Sequence, residues 1–160
     1  MAPRLALPAL ALVAALAGTS GCTRKDEPPT PAVQLANDRV TLDAIVASDV
    51  DLDAVLKLAD DQSRMGNDAA AADTLEQRAI PVADAALARA RAATVTTSWA
   101  VARREEWLAI LQDRRAQTAR YASALRGEDL DAKLAAVEAQ AELTKRAMAA
   151  ALAVRLGPDT

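Results

Sequence analysis

Trp99, Arg103 and Trp107 stand four residues apart, and Ile110, Arg114, Thr118, Tyr121 and Leu125 follow at spacings of three and four. Residues so spaced share one side of a helix. The column gathers both tryptophans and the single tyrosine of the chain around two arginines. Two kinds of chemistry fit it. In one, the column is a core seam: Arg103 and Arg114 lay their stems on the aromatic rings and turn their charged heads to water or to an acid. Asp49, Asp53 and Asp60, which border the apolar side of an earlier helix, are the acids in reach. In the other, Trp99, Arg103, Trp107, Arg114 and Tyr121 form a partly open stripe that receives an anion, a lipid headgroup or a partner protein, because exposed Trp, Tyr and Arg concentrate at binding hot spots.

Catalysis finds no comparable set of residues. The chain has no histidine to serve as a base near neutral pH, one cysteine, Cys22, and no serine beside a usable base. Asp60-Asp61 and Glu105-Glu106 are paired carboxylates in sequence only. Adjacent helical residues point about 100° apart and cannot share a proton as a catalytic dyad does. A di-metal carboxylate bundle needs Glu-x-x-His pairs, a haem needs His or an attachment motif, and a phosphate cradle needs a glycine loop. None is present. The expectation is a protein that is not an enzyme, with no catalytic residue, metal or cofactor.

The elements that must position the column are helices. Alanine makes up about a quarter of the 160 residues, Phe is absent and glycine is scarce, a composition that favours helix over sheet. Because Ala removes little area from water when buried, the core is expected to be thin and its helices closely spaced. The net charge is −3, with acids in excess over 38–78 and bases in excess over 82–126. These blocks are solvated faces or dispose the acidic first helices to pack antiparallel against the basic central one. With no sustained basic run, nucleic acid is not expected as a partner.

In chain order, Thr23 to Val33 is charged and proline-rich and reads as a tether. Asn37 is the expected N-cap of a first helix. Ser48 with Asp51 resembles a capping box that would start a second, leaving open whether 38–65 is one helix or two. Gly66-Asn67 reads as a stop and a restart, and Pro81 forces a kink or a new start. No breaker interrupts 82–126, whose continuity is also open; Thr94 to Ser98 is the weakest stretch and the expected bend. Gly127 ends that segment and Asp129 and Asp131 begin the next. There Leu130, Leu134, Val137, Ala141, Met148 and Leu152 recur at helical spacing as an apolar stripe, and Gly157-Pro158 stops it.

The first 22 residues carry a different signal. Met1 to Arg4 is a short basic start, Leu5 to Ala17 an apolar run too short to span a bilayer, and Gly18 to Gly21 a set of small residues. Thr19-Ser20-Gly21-Cys22 resembles the cleavage and modification motif of bacterial lipoprotein precursors, with Thr19 where that family prefers Leu. The resemblance implies that Cys22 becomes the new N-terminus and bears acyl chains of the palmitate kind, two or three of which anchor firmly where one holds marginally. Thr23 in place of Asp would, by the same resemblance, direct the protein to an outer membrane in a cell that has two. Ala15-Leu16-Ala17 offers an ordinary signal-peptidase site as the alternative, which would release a soluble secreted or periplasmic protein beginning at Gly18.

The expected organisation is therefore a signal peptide over 1–21, a lipidated Cys22 with a disordered tether over 22–36, and an alanine-rich helical domain over 37–157. The expected fold is all-α, an antiparallel bundle or elongated hairpin of three to four helices. The expected function is that of a cell-envelope lipoprotein, held to a membrane by its lipid anchor, with a structural or adaptor role through an envelope protein partner or self-association. The alternative is a small anion- or ligand-binding module built on the Trp/Arg stripe.

Overall fold

Five α-helices and one π-helical turn account for the fold of residues 28–127 and 129–158, which are those the computed structural model describes. The proposed signal peptide, Cys22 and the first residues of the tether lie outside them. Helix α1 spans Pro31–Arg64, α2 Asp68–Thr74, the π turn Leu75–Ala79, α3 Ile80–Ala92, α4 Ser98–Arg126 and α5 Leu130–Leu156. No strand occurs among the described residues. Because α2, the π turn and α3 follow one another without a break, the chain makes four rods in up-down-up-down order, an all-α antiparallel bundle.

Each boundary has a local cause. Thr30 caps α1, accepting from the Val33 amide, and Pro31 occupies the first turn, where its missing N–H costs nothing. The helix thus starts six residues before Asn37, the N-cap expected from sequence. Nor does Ser48 start a second helix: α1 runs through it, and its hydroxyl donates to the Ala44 carbonyl at 3.0 Å. At the far end the Asn67 amide donates to the Gln62 carbonyl and the Gly66 amide to the Ser63 carbonyl. Gly66 takes φ +78°. This is a Schellman closure, and Asn67 then caps α2 by accepting from Ala70.

Pro81 stands in the first turn of α3, which starts at Ile80, as a new start at the proline requires. The chain widens to a π turn over Leu75–Ala79 immediately before it, and the Ile80 amide reaches back to the Leu75 carbonyl. Such a bulge relieves the clash and the lost hydrogen bond that a proline brings to a helix interior. The expected break in 82–126 does fall at the weak stretch: α3 ends at Ala92 and α4 begins at Ser98 with Thr97 as its cap.

Two apolar clusters fill the bundle. One holds Leu42, Ile45, Leu87, Trp107, Ile110, Leu111 and Val154; the other Leu52, Leu56, Leu75, Tyr121 and Leu125, with alanines throughout both. Helix α5 shows how far alanine governs the packing. Its buried residues are Ala136, Gln140, Ala147, Ala150 and Val154. The expected core stripe of this helix faces outward instead: Leu130 is 65% exposed, Leu134 55%, Val137 42%, Met148 67% and Leu152 55%. Small side chains let α5 lie close against α4, and close approach favours the alanine face over the leucine face.

Charge pairing corrects a second expectation. Acidic α1 runs parallel to basic α4, since Asp38 meets Thr97 and Asp49 meets Arg114 along their common direction. The antiparallel acidic partner is the α2 rod, where Asp73 and Glu76 hold Arg126.

Candidate functional site

The aromatic and arginine column of α4 divides between interior and surface. Trp107, Arg114 and Tyr121 are buried, and Trp99 is half-buried against the first apolar cluster. Arg103 stays near the surface and pairs with Glu106 of its own helix at 2.9 Å. Five residues on one side of a helix therefore do not make one open stripe. The column lies where α1 crosses it, and its two arginines have separate surroundings.

Arg114 is the centre of the buried part. Its side chain is 0% exposed, and its Nε lies 3.0 Å from Asp49 Oδ1 while its Nη2 donates to Asp53. Asp49 is itself 6% exposed, Asp53 44%. One carboxylate thus meets the guanidinium in the dry interior and the other at the rim, as the core-seam reading of the sequence anticipates for Arg114. Burial pushes the Asp49 carboxyl up to about 6, with Arg114 opposing the rise and Asp53 adding to it. Thr118 closes the turn by donating to the Arg114 carbonyl at 2.8 Å. One turn further on, burial and then the Asp60 carboxylate push the Tyr121 hydroxyl up to about 12.

The grip on Arg114 decides what the column can do. The Arg114 Nη1 has no hydrogen-bond partner, but a guanidinium shut from water and charge-balanced by two carboxylates is closed to an incoming anion. Arg103 is reachable, but its neighbour Glu106 already offsets its charge. Among the described residues no group of three His, Cys, Asp or Glu side chains is placed to hold a metal ion.

A second polar centre went unseen in the sequence. Asp38, only 3% exposed on α1, accepts from the Thr97 amide and hydroxyl at 2.7 Å each and from the Thr96 amide at 3.0 Å. It pins the α3–α4 turn and completes the start of α4. Burial alone would raise this carboxyl, but the hydrogen bonds from Thr97 and Thr96 outweigh it and hold it below the usual range. The signal available was the Thr94 to Ser98 run, rich in hydroxyls suited to a helix start; its distant acceptor had no sequence mark.

The remaining surface feature is the outer face of α5. Leu130, Leu134, Val137, Ala141, Met148 and Leu152 lie on it in one line, flanked by Glu138 and Lys145, and all are exposed. Helix α5 touches mainly α4, with its C-terminal end against the start of α1, where Arg39 donates to the Arg155 carbonyl at 2.6 Å. At its other end Lys133 binds Asp68 at 2.8 Å. These contacts fix the helix in place with its leucines outward. No helix among the described residues is long and apolar enough to cross a membrane.

Comparison of the chain with protein-family models, with curated proteins and with solved structures finds no match. The functional reading therefore rests on these residues.

Proposed function

We propose that the protein is a lipid-anchored component of a bacterial cell envelope with a structural or adaptor role, acting through the outer face of α5 and not through catalysis. The observation that carries the docking part is the row of large apolar side chains on that face, Leu130, Leu134, Val137, Met148 and Leu152, each 42% exposed or more. Rows of this kind on an otherwise folded surface mark interaction sites. The anchoring part rests on the basic start, the apolar run and Thr19-Ser20-Gly21-Cys22. The Trp/Arg stripe as a ligand-gripping site has less support, since Arg114 is enclosed and paired.

Two measurements test this reading separately. Intact mass of the protein from membranes of the producing cell is expected to give a chain starting at Cys22 with acyl chains attached, and Cys22→Ala is expected to leave the membrane fraction. A soluble species starting at Gly18 would sink the anchor. Crosslinking in the envelope is expected to yield complexes that Leu134→Glu and Met148→Glu abolish; complexes indifferent to both changes would sink the docking face.

A further inference from the structure

We infer that the outer face of α5 is covered by the same face of a second copy, the two helices running antiparallel about a two-fold axis at Ala141. The inference rests on α5 as a docking face and names its occupant; it does not depend on lipidation of Cys22.

The argument is the symmetry of the row itself. Measured from Ala141, its apolar members stand at −11 (Leu130), −7 (Leu134), −4 (Val137), +7 (Met148) and +11 (Leu152), and the flanking Lys145 takes the place at +4. A row that reads the same in both directions is self-complementary when a helix is paired with a reversed copy of itself. In that register Leu130 faces Leu152 of the second copy, Leu134 faces Met148, and Ala141 faces Ala141. The small residue falls at the crossing point, where two helices approach closest. The row also keeps to 3.6 residues per turn, so it stays on one side of a straight helix for its whole length.

The single departure from apolar symmetry has a charge to match. Lys145 faces Val137 of the second copy, over which its stem can lie. Beside that valine, on the same flank of the helix as Lys145, is Glu138. Within one chain Lys145 pairs with Glu142 at 2.6 Å, while Glu138, seven residues away and about 10 Å along the axis, is out of its reach. Across the axis Glu138 and Lys145 become neighbours, twice. The wider charge pattern agrees: on the outward side the acids Asp131, Glu138 and Glu142 precede the bases Lys145 and Arg155, so antiparallel pairing sets unlike charges together and parallel pairing sets like against like. A helix of this length offers a strip about 40 Å long and about 10 Å wide, about 400 Å² per copy, which is below the standard size of specific interfaces and in the range of weak, transient ones. The pairing is accordingly concentration-dependent.

The test is sedimentation velocity of the full chain carrying Cys22→Ser, so that neither an acyl chain nor a disulfide contributes, from low to high micromolar concentration. The expected result is a monomer that passes into a dimer. Leu134→Glu with Met148→Glu is expected to raise the dissociation constant more than tenfold, with circular dichroism unchanged because both residues are exposed. Glu138→Lys and Lys145→Glu are each expected to weaken the dimer several-fold, and the double exchange to restore it. A chain that stays monomeric throughout, a dimer that ignores Leu134→Glu/Met148→Glu, or a double exchange weaker than either single change overturns the inference. So does α5-dependent binding to phospholipid vesicles by a chain that remains monomeric. If that monomer still loses its envelope crosslinks with Leu134→Glu, the adaptor reading survives and the self-pairing does not.

Discussion

Arg114 of α4 meets Asp49 of α1 at 3.0 Å with both side chains shut from water, 0% and 6% exposed. A buried pair of this kind holds two helices in register, yet each charge has lost its hydration, and attraction repays that loss only in part. Asp49 records the balance: burial lifts its carboxyl from 3.8 to about 6 despite the arginine.

The folded state therefore binds the Asp49 proton more tightly than the unfolded chain does. Between pH 4 and 6 this group makes stability fall as pH rises, and its charge costs about 3 kcal/mol at neutral pH. Asp49→Asn is expected to flatten that slope and to match or exceed the parent in stability at pH 7, measured by urea unfolding from pH 4 to 7. Parallel pH profiles for the two proteins would refute the assignment. Arg114→Ala acts in the opposite direction, because it leaves Asp49 buried without its partner; a loss of about 3–5 kcal/mol at pH 7 is expected.

Much of the bundle was legible in the chain because its signals are local. Gly66-Asn67, the hydroxyl run before Ser98 and Asp129 before α5 each act through hydrogen bonds to residues a few positions away. The pairing of Arg114 with an aspartate of the first helix could also be read, since the spacings put both on apolar faces. What could not be read depends on distance between helices. The outward turn of Leu130, Leu134 and Met148 follows from α5 lying close against α4 through Ala136, Ala147 and Ala150, and a stripe rule that follows bulk selects the wrong side when the core is made of methyl groups. Pro81 announces the irregularity at the start of α3 but not its form. The widening that accommodates it lies over Leu75–Ala79, where no residue type announces a π turn.

Asp38 ties the start of α1 to the start of α4 through Thr96 and Thr97. Asp38→Ala leaves those amides without their acceptor and is expected to cost about 2 kcal/mol at neutral pH. The pH dependence has the opposite sign to that of Asp49. Because this carboxyl is held below 3.8, its contribution is present above that value and lost as the pH falls further. The stability gap between Asp38→Ala and the parent should thus be constant from pH 5 to 7 and shrink in acid. A gap that widens in acid would contradict the cap.

Gly66 and Gly157 end α1 and α5 with nearly the same φ, +78° and +80°, but in different surroundings. A methyl group on Gly66 would meet nothing within 4 Å, whereas one on Gly157 would stand 3.1 Å from the Arg39 guanidinium. That guanidinium is not free to withdraw without loss, since it donates to the Arg155 carbonyl at 2.6 Å. Gly66→Ala is expected to cost about 1 kcal/mol, the strain of a left-handed residue alone. Gly157 also has ψ −176°, a region close to exclusive to glycine, so Gly157→Ala is expected to cost about 2–3 kcal/mol. Part of that cost is the displaced arginine, and it should vanish once the arginine is gone. In a double-mutant cycle by urea unfolding, Arg39→Ala and Gly157→Ala together should then cost less than the sum of the two, while Arg39→Ala and Gly66→Ala add. Strict additivity in both cycles would show that Arg39 does not hold the end of α5.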